Sequence, residues 1–511
     1  LTIQINILKS ALVFGALFLL SAVSFSQEDA LELLPGSEVL KFNEETGVHR
    51  LLGNVNFKYQ GNLMFCDSAH YHQRSKTVRA YGHVHINKRD TLNLFCDSLF
   101  YDGRTRKAKL WGNVRVRDSE YKLTTDTLDY DARASRASYH YGGRVESTLS
   151  KEVLTSRAGY LYPNSKDFFF RGDVRYEGND LEMETDTLQY TYGKKTAYFF
   201  GPTSILSDGT SIYCESGSYS TQTKEGELYG SASIVQGSEY IVGDTLLYRP
   251  EQGESIGIGN VLYYDTTQAI AFSGNYAYTS DSLNYSFLTG RALATKEMKD
   301  DTLYIHADTL FMEKIDTTDI VKAYKNARIY STKIQGRADS IVYAMDKERI
   351  ELFFSPIIWS NAAELKGDFM DVHITDSSIH KINIYDNSTI LMEVQSEKYY
   401  NQIAGKNINA YFKQNELRRA IVNGNAMTVF FPEDEIKTDS LITKKRMGMN
   451  RLYASDLRID IDSNELTGIT YQEAPDGAFY PIDQIKEAEQ FVPGFNWKSI
   501  LRPKDLEDLF E

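Results

Sequence analysis

The sequence predicts an all-β protein, an elongated antiparallel folded-sheet solenoid of about 30-residue, two-strand repeats. Three observations predict it. A glycine recurs as Gly53, Gly82, Gly112, Gly142 or Gly143, Gly172, Gly201, Gly230, Gly259 and Gly290, at intervals of 29 to 31 residues. About fourteen residues after it comes an acid–hydroxyl–apolar triplet, as in Asp67-Ser68-Ala69, Asp126-Thr127-Leu128 and Asp244-Thr245-Leu246. Around each glycine the apolar residues alternate, as in Phe170-x-Gly172-x-Val174-x-Tyr176. A fixed period of this length marks stacked supersecondary units, and alternation with a period of two marks half-buried strands.

Lys107–Asp131 defines the repeat. Lys107 to Arg117 puts Ala108, Leu110, Gly112, Val114 and Val116 on one face and Lys109, Trp111, Asn113 and Arg115 on the other. Asp118-Ser119 has turn chemistry, and Tyr121 to Asp131 forms the returning strand. Each period holds two turns, one set at Gln60-Gly61-Asn62 and Glu177-Gly178-Asn179, the other at Asp102-Gly103-Arg104 and Gln252-Gly253. Short Gly/Asn/Asp turns between alternating strands read as hairpins, which favours an antiparallel meander over a parallel β-helix. In the returning strand the apolar parity switches, between Leu123 and Leu128 and again between Met183 and Leu188. Such a switch needs a bulge or sharp bend. The acid–hydroxyl pair lies at the switch, and the glycine lies midway along the neighbouring strand, where it eases a bend. Both strand types therefore fold near their middle, and stacking them gives a trough with an apolar inside. About thirteen such units give about 26 strands and a rod of roughly 120 Å at ~4.8 Å per strand.

Residues 1–26 read as a cleaved signal peptide. Lys9 is the only charged residue before Glu28, Ala11 to Val23 is almost wholly apolar, and Ser24-Phe25-Ser26 precedes the cut. An apolar core of this length is short for a membrane span. Residues 27–37 form an N-terminal leader. Regular repeats fill 38–300. Degenerate repeats fill 301–473, where Asp308, Asp339, Asp368 and Asp456 continue the acid column; two insertions fall at Glu393–Gln402 and Pro432–Met449. The second insertion is charged and reads as a mobile loop. Ala474-Pro475-Asp476-Gly477 ends the pattern, and 474–511 form a C-terminal tail in which Gln484–Gln490 suits a short helix. The Phe495 and Trp497 pair there either folds back as a cap or docks a partner.

Composition narrows the function. Acids outnumber Lys and Arg 70 to 56, and loss of Lys9 with the signal peptide makes the net charge −15. A nucleic-acid partner wants a basic face, so none is expected. Cys66, Cys96 and Cys214 are three, so they cannot all pair internally; each precedes an acid at the same repeat position and fits an apolar slot. A Cys66–Cys96 disulfide is left open. No CxxC, HExxH, GxSxG or P-loop is present, and neither a metal site, a cofactor nor a catalytic residue is expected. His83 and His85 share a parity, but it is the wet one. Paired carboxylates drive glycoside cleavage, but an acid in the same slot of unit after unit is a structural column that accepts bonds from groups freed at each bulge.

What remains is the apolar inside. Its inward columns mix glycine with large residues, and no second layer is encoded to cover it, so the chain closes on itself or on a ligand. The groove candidates are Val55, Phe57, Val84, Ile86, Leu110, Val114, Val116, Phe170, Val174, Phe199, Ile205, Leu228 and Ile234. A structural or adhesive β-repeat protein with a closed core is the alternative.

Gly112-Asn113-Val114-Arg115-Val116 followed by Leu123 to Asp131, and Gly53-Asn54-Val55 with Asp67, behind a signal peptide, resemble the OstA-like family, relatives of LptA and of the periplasmic domain of LptD in lipopolysaccharide export. The resemblance runs roughly over residues 38–470. It implies a β-jellyroll whose apolar groove carries the acyl chains of lipopolysaccharide or another acylated glycolipid. It also implies periplasmic location and head-to-tail joining to other Lpt-type jellyroll proteins by edge-strand pairing, so that the chain bridges inner and outer membrane components. Exposed sheet edges favour such pairing in any case.

Overall fold

The computed structural model describes residues 32–59, 62–88, 92–298, 301–315, 318–375, 378–395, 398–413, 416–438, 441–462 and 465–511. The expected signal peptide lies outside these residues. The described residues form two compact units, divided after Ser165.

In the first unit, five long strands follow one another as antiparallel neighbours: Val48–Tyr59, Asn62–His72, Thr77–Lys88, Leu92–Asp102 and Lys107–Arg117, with Tyr121–Asp131 after them. Part of the expected leader already belongs to the sheet, since Glu32–Leu34 pairs with Asn56–Lys58; Val39–Asn43, at the start of the expected repeats, pairs with Val48–Leu52. Pairing slips at Leu52/Val55, Tyr81/Val84 and Trp111/Val114, so two residues on the glycine strand face one acid. The two are left-handed: Gly112 has φ +78° and Asn113 +50°, Gly53 +76° and Asn54 +46°. Glycine, and asparagine next, tolerate that region. Each long strand is thus bent, and its two halves belong to two half-sheets. Leu110 and Val114, on either side of the bend, are 1% and 0% exposed. The fourth repeat bends by interruption instead. Its strands split into Arg136–Tyr139 with Gly143–Ser147, and Val153–Ser156 with Ala158–Tyr162. Of the two candidate glycines there, Gly142 takes the left-handed turn at φ +97°, and Gly143 makes room for the ring of the fully buried Tyr139.

The second unit repeats the scheme from Asp167 to Pro481, with bends at Arg171/Val174, Tyr229/Ala232, Ile258/Val261 and Thr289/Ala292. Beyond Asp301 the strands lengthen to as many as 18 residues. They bend at Lys325-Asn326, Asp386-Asn387 and Gly424-Asn425, all left-handed. Gly201 departs from the marker's role: its φ is outside the left-handed region, and its strand breaks into Thr196–Phe199 and Thr203–Ser207. Inside the bends, Ile270, Ala307, Leu352, Ile382, Ile408 and Leu457 belong to one contiguous apolar core.

Several expectations need correction. The described residues hold 38 strands, not about 26, because broken bends split strands in two, and because the N-terminal edge, a hairpin inside Pro432–Met449 and a strand past residue 473 add more. Asp476–Pro481, expected to lie beyond the repeats, pairs with Gly448–Tyr453. Pro432–Met449, expected as a loop, contains a hairpin of Glu433–Thr438 with Leu441–Arg446. Gln484–Gln490 is not a helix; only Glu487–Glu489 makes a single 3-10 turn.

The tail then runs back across the strands of the second unit. Phe495 and Trp497 pack on Tyr400, with ring centroids 5.2 and 5.3 Å apart, so the aromatic pair folds back. Gln402 donates to Gln490 O (2.8 Å) and accepts from Val492 N (2.9 Å). Arg451 donates to Phe491 O (3.2 Å). Glu364 accepts from Lys498 N (3.0 and 3.1 Å). Arg502 donates to Gln335 Oε1 and Asn361 O, both 2.7 Å. Arg291 pairs with Glu507 (3.2 Å). Arg328 donates to the carbonyls of Asp508 and Leu509, and Phe510 stacks edge-on against His306. Residues 490–510 thus form a strap over the outer face of one half-sheet.

Candidate functional site

The interior between the half-sheets is the candidate site. Of the thirteen groove candidates, Val55, Phe57, Val84, Leu110, Val114, Phe170, Val174, Phe199, Ile205, Leu228 and Ile234 are buried, and Ile86 and Val116 are half-buried. All lie on the inward parity of their strands. On several strands of the first unit burial fades from bend to free end: Val84 is 1% exposed while Ile86, two residues on, is only half-buried, and Met64, Leu94 and Tyr130 are likewise half-buried, whereas Phe57, Val78 and Tyr121 stay buried. On those strands the interior is a wedge, tight at the bend and looser at its mouth. Aromatic pairs reach from one half-sheet to the other at the mouth. Tyr59 and Tyr101 lie 6.0 Å apart, and in the second unit Tyr176 and Tyr190 lie 5.9 Å apart. Burial, and then Tyr59 beside it, push the Tyr101 hydroxyl up to about 12, so it stays neutral.

Further along the second unit the mouth is closed differently. A cavity of about 40 Å³ opens there between Met298, Leu303, Ile329 and Ile334 of one half-sheet and Ile350, Val372, Ile374 and Ile379 of the other. That volume suits a few waters, not a lipid chain, in this closed state. Sequence periodicity did not single these residues out, because they sit in the degenerate repeats. Their inward alternation (Ile350-x-Leu352, Val372-x-Ile374) was the available signal.

The acid column faces away from this interior. Asp67, Asp97, Asp186, Asp244, Asp308 and Asp368 are exposed at the bends. Most are tied to the next glycine strand. Asn113 Nδ2 donates to Asp97 (2.8 Å), Asn260 to Asp244 (2.9 Å), Asn326 to Asp308 (3.1 Å) and Asn387 to Asp368 (2.8 Å), and His83 Nδ1 bonds Asp67 (2.8 Å). The expected backbone donor occurs at Gly424 N, which donates to Asp456 (3.0 Å); the other five bonds come from side chains. A Cβ on Gly82, Gly112 or Gly259 would strike the acid of the preceding repeat. Acids on alternate strands stand roughly 9.6 Å apart, well beyond a retaining glycosidase pair and at the upper limit of an inverting one. The column is a structural ladder.

The other reactive groups are similarly placed. Cys66, Cys96 and Cys214 are free and buried, and burial pushes each thiol up to about 12, leaving no thiolate at neutral pH. His85 is stacked on Phe95 (4.3 Å) and bonded to Asn93 (3.0 Å). Among the described residues, no group of three or more His, Cys, Asp or Glu side chains could hold a metal, and no helix is long and apolar enough to cross a membrane.

Comparison with known proteins fits this geometry. Residues 33–186 match the model of a family described as OstA-like protein. Over that span the chain is similar to this family. The match begins at the first edge strand and takes in every Gly-Asn bend of the first unit. Among solved structures, LptH of Pseudomonas aeruginosa is described as the LptA-homologous periplasmic component of the lipopolysaccharide transport device. It is 16% identical, and the alignment covers 21% of this chain and 75% of that one with a TM-score of 0.19. A superposition that poor is no guide to the function of this chain. No curated protein matches the chain.

Proposed function

We propose that this OstA-like chain is a periplasmic carrier of lipopolysaccharide or another acylated glycolipid, and not an enzyme. Acyl chains lie in the apolar interior, and the sugar and phosphate headgroup stays in water at the mouth. The observation that carries the reading is the wedge in the first unit: inward columns that are mostly apolar, with Thr125 among them, tight at the bend and half-buried at Met64, Ile86, Leu94 and Tyr130 toward the free ends. Burial of apolar surface is non-directional, so cargo held this way slides rather than docks. The edge strands at Glu32–Asn43 and Glu465–Pro481 offer unpaired backbone to further Lpt-type jellyroll proteins, and a chain so joined bridges inner and outer membrane components. Outer-membrane association follows from that role. The competing reading, a structural or adhesive repeat with a permanently closed core, requires that the wedge never admit a ligand.

Photocrosslinking in cells tests it. A photoreactive residue at Val114, Phe170 or Ile205 should capture lipopolysaccharide, and one at outward Arg115 should not. Lipid capture at none of the three inward sites would defeat the carrier reading.

A further inference from the structure

The strap makes the two half-sheets of the second unit unequal, because its partners among the described residues lie on one half or at its bend. His306, Arg328, Gln335, Glu364, Gln402 and Arg451 lie on strand halves that follow a Gly-Asn-type bend or precede the acid slot, which Asn407 fills after Gln402, and Arg291 sits in the Gly290-Arg291 bend at the edge of that half. Three of the fasteners are buried polar side chains on the outer parity: Glu364 is 0% exposed, Gln402 1% and Gln335 4%. Buried polar groups demand partners, and the strap supplies them. Asp301 adds a turn-to-turn clamp on the same half, accepting from Thr332 N (3.1 Å) and Thr332 Oγ1 (2.8 Å). The outer face of the opposite half carries Arg349, Asp371 and His373, and the Arg349 and His373 side chains are each 41% exposed.

The cavity at the mouth sits between these unequal walls. Its strapped side is Met298, Leu303, Ile329, Ile334, Gly336 and Ile358 together with the polar Ser331 and Gln335, the last held by Arg502. Its other side is Ile350, Val372, Ile374 and Ile379. Met298, Ile374 and Ile379 are half-buried, so the opening is continuous with solvent at its rim. The lining has no charged residue, and the apolar core runs on behind it through Leu303, Ile305, Leu352 and Ile382. An uncharged rim leading into a contiguous apolar core suits one chemical class, a single alkyl chain.

We propose that an alkyl chain enters the second unit here, between a fixed half-sheet held by the C-terminal strap and an unstrapped half-sheet that swings about the bends at Lys325-Asn326 and Asp386-Asn387. This rests on the carrier reading and adds to it where cargo enters, which wall moves and what the C-terminal segment does.

Two measurements on the full chain test it. Hydrogen exchange should find amides of 302–307 and 334–337 slower, by about tenfold or more, than those of 349–353 and 369–374. A chain ending at Asp483 should bring the first set up to the second. Equal exchange of the two halves in the full chain, or no change on truncation, overturns the fixed-wall assignment. For the port, binding of a fluorescently labelled long-chain fatty acid is measured. Ile379→Trp should weaken it about tenfold or more, and Phe170→Trp should weaken it less; Met298→Trp, across the same opening, replaces Ile379→Trp if that variant does not fold. Unchanged binding in both rim variants overturns the port and leaves the carrier reading standing. No binding to the full chain overturns both.

Discussion

Glu364→Ala puts the strap to a quantitative test. The Glu364 carboxylate is fully buried, accepts the indole N–H of Trp359 (2.9 Å) and the backbone N–H of Lys498 (3.0 and 3.1 Å), and pairs with Lys366 Nζ at 2.5 Å. Alanine leaves two donors without an acceptor, at about 1–3 kcal/mol each. It also strands the Lys366 ammonium, whose side chain is only 15% exposed and whose pKa burial already lowers. Relief of the carboxylate's own desolvation offsets part of this. The expected loss is about 3–5 kcal/mol, the usual cost of removing one partner from a buried pair. With an unfolding entropy of about 2.1 cal/mol/K per residue summed over the second unit, that lowers its melting temperature by roughly 4–7 °C. Urea unfolding followed by tryptophan fluorescence is the assay, since Trp359 and Trp497 flank the clamp. Glu364→Gln keeps one acceptor oxygen and should fall between wild type and alanine. The reasoning is refuted if Glu364→Ala costs less than about 1 kcal/mol, no more than the exposed-acid control Glu177→Ala.

The remaining predictions concern the bends, the core and acid. Gly112→Ala meets both a φ of +78° and the Asp97 carboxylate, and should cost about 1–3 kcal/mol in urea titrations. Gly201→Ala, whose Cβ would meet only Asp186 Cβ at 3.9 Å, should stay within about 0.5 kcal/mol. Phe170→Ala, 2% exposed and 6.4 Å from the Phe168 ring, should cost about 3–5 kcal/mol by the same titration. His306 is held below its ordinary pKa by burial first, against its bond to Ala292 O (2.7 Å), with the Arg328 and Arg291 charges lowering it and Asp308 raising it. A lowered folded pKa means that the unfolded chain binds the proton more readily. Its contribution is therefore complete above pH 6.5 and is lost as pH falls below that value. Melting temperatures at pH 7.5 and 5.0 should show this drop, reduced in His306→Gln.

Much of the fold was legible because the bends are local. Gly-Asn in one strand and a parity switch in the next are written within about 30 residues of each other, so periodicity alone located the half-sheets. Legibility faded after Gly290 because Lys325-Asn326 and Asp386-Asn387 do without the glycine; the asparagine in the second slot, recurring from Asn54 to Asn425, was the steadier marker there. Gly201 shows the converse, a glycine on schedule where the backbone needs none. The inward residues were readable by parity, but their tightness was not, since packing of one half-sheet on the other depends on side chains far apart in sequence. The strap was invisible for the same reason. Glu364, Gln402 and Gln335 occupy wet-face positions, and their partners lie 134, 88 to 90 and 167 residues away.

The tie between an acid and the following glycine strand bears on how such a chain changes length. Asp67, Asp97 and Asp244 each reach a partner sixteen residues ahead, beyond the boundary of their own repeat. A duplication or loss of one whole period therefore re-creates the same junction. Excising His83–Gly112, for example, joins Gly82 to Asn113 and presents Asp67 with the amide that Asp97 now holds. A gene encoding this fold can lengthen or shorten by whole repeats among those that carry the tie without stranding their bends, whereas a partial repeat would leave an acid with no mate.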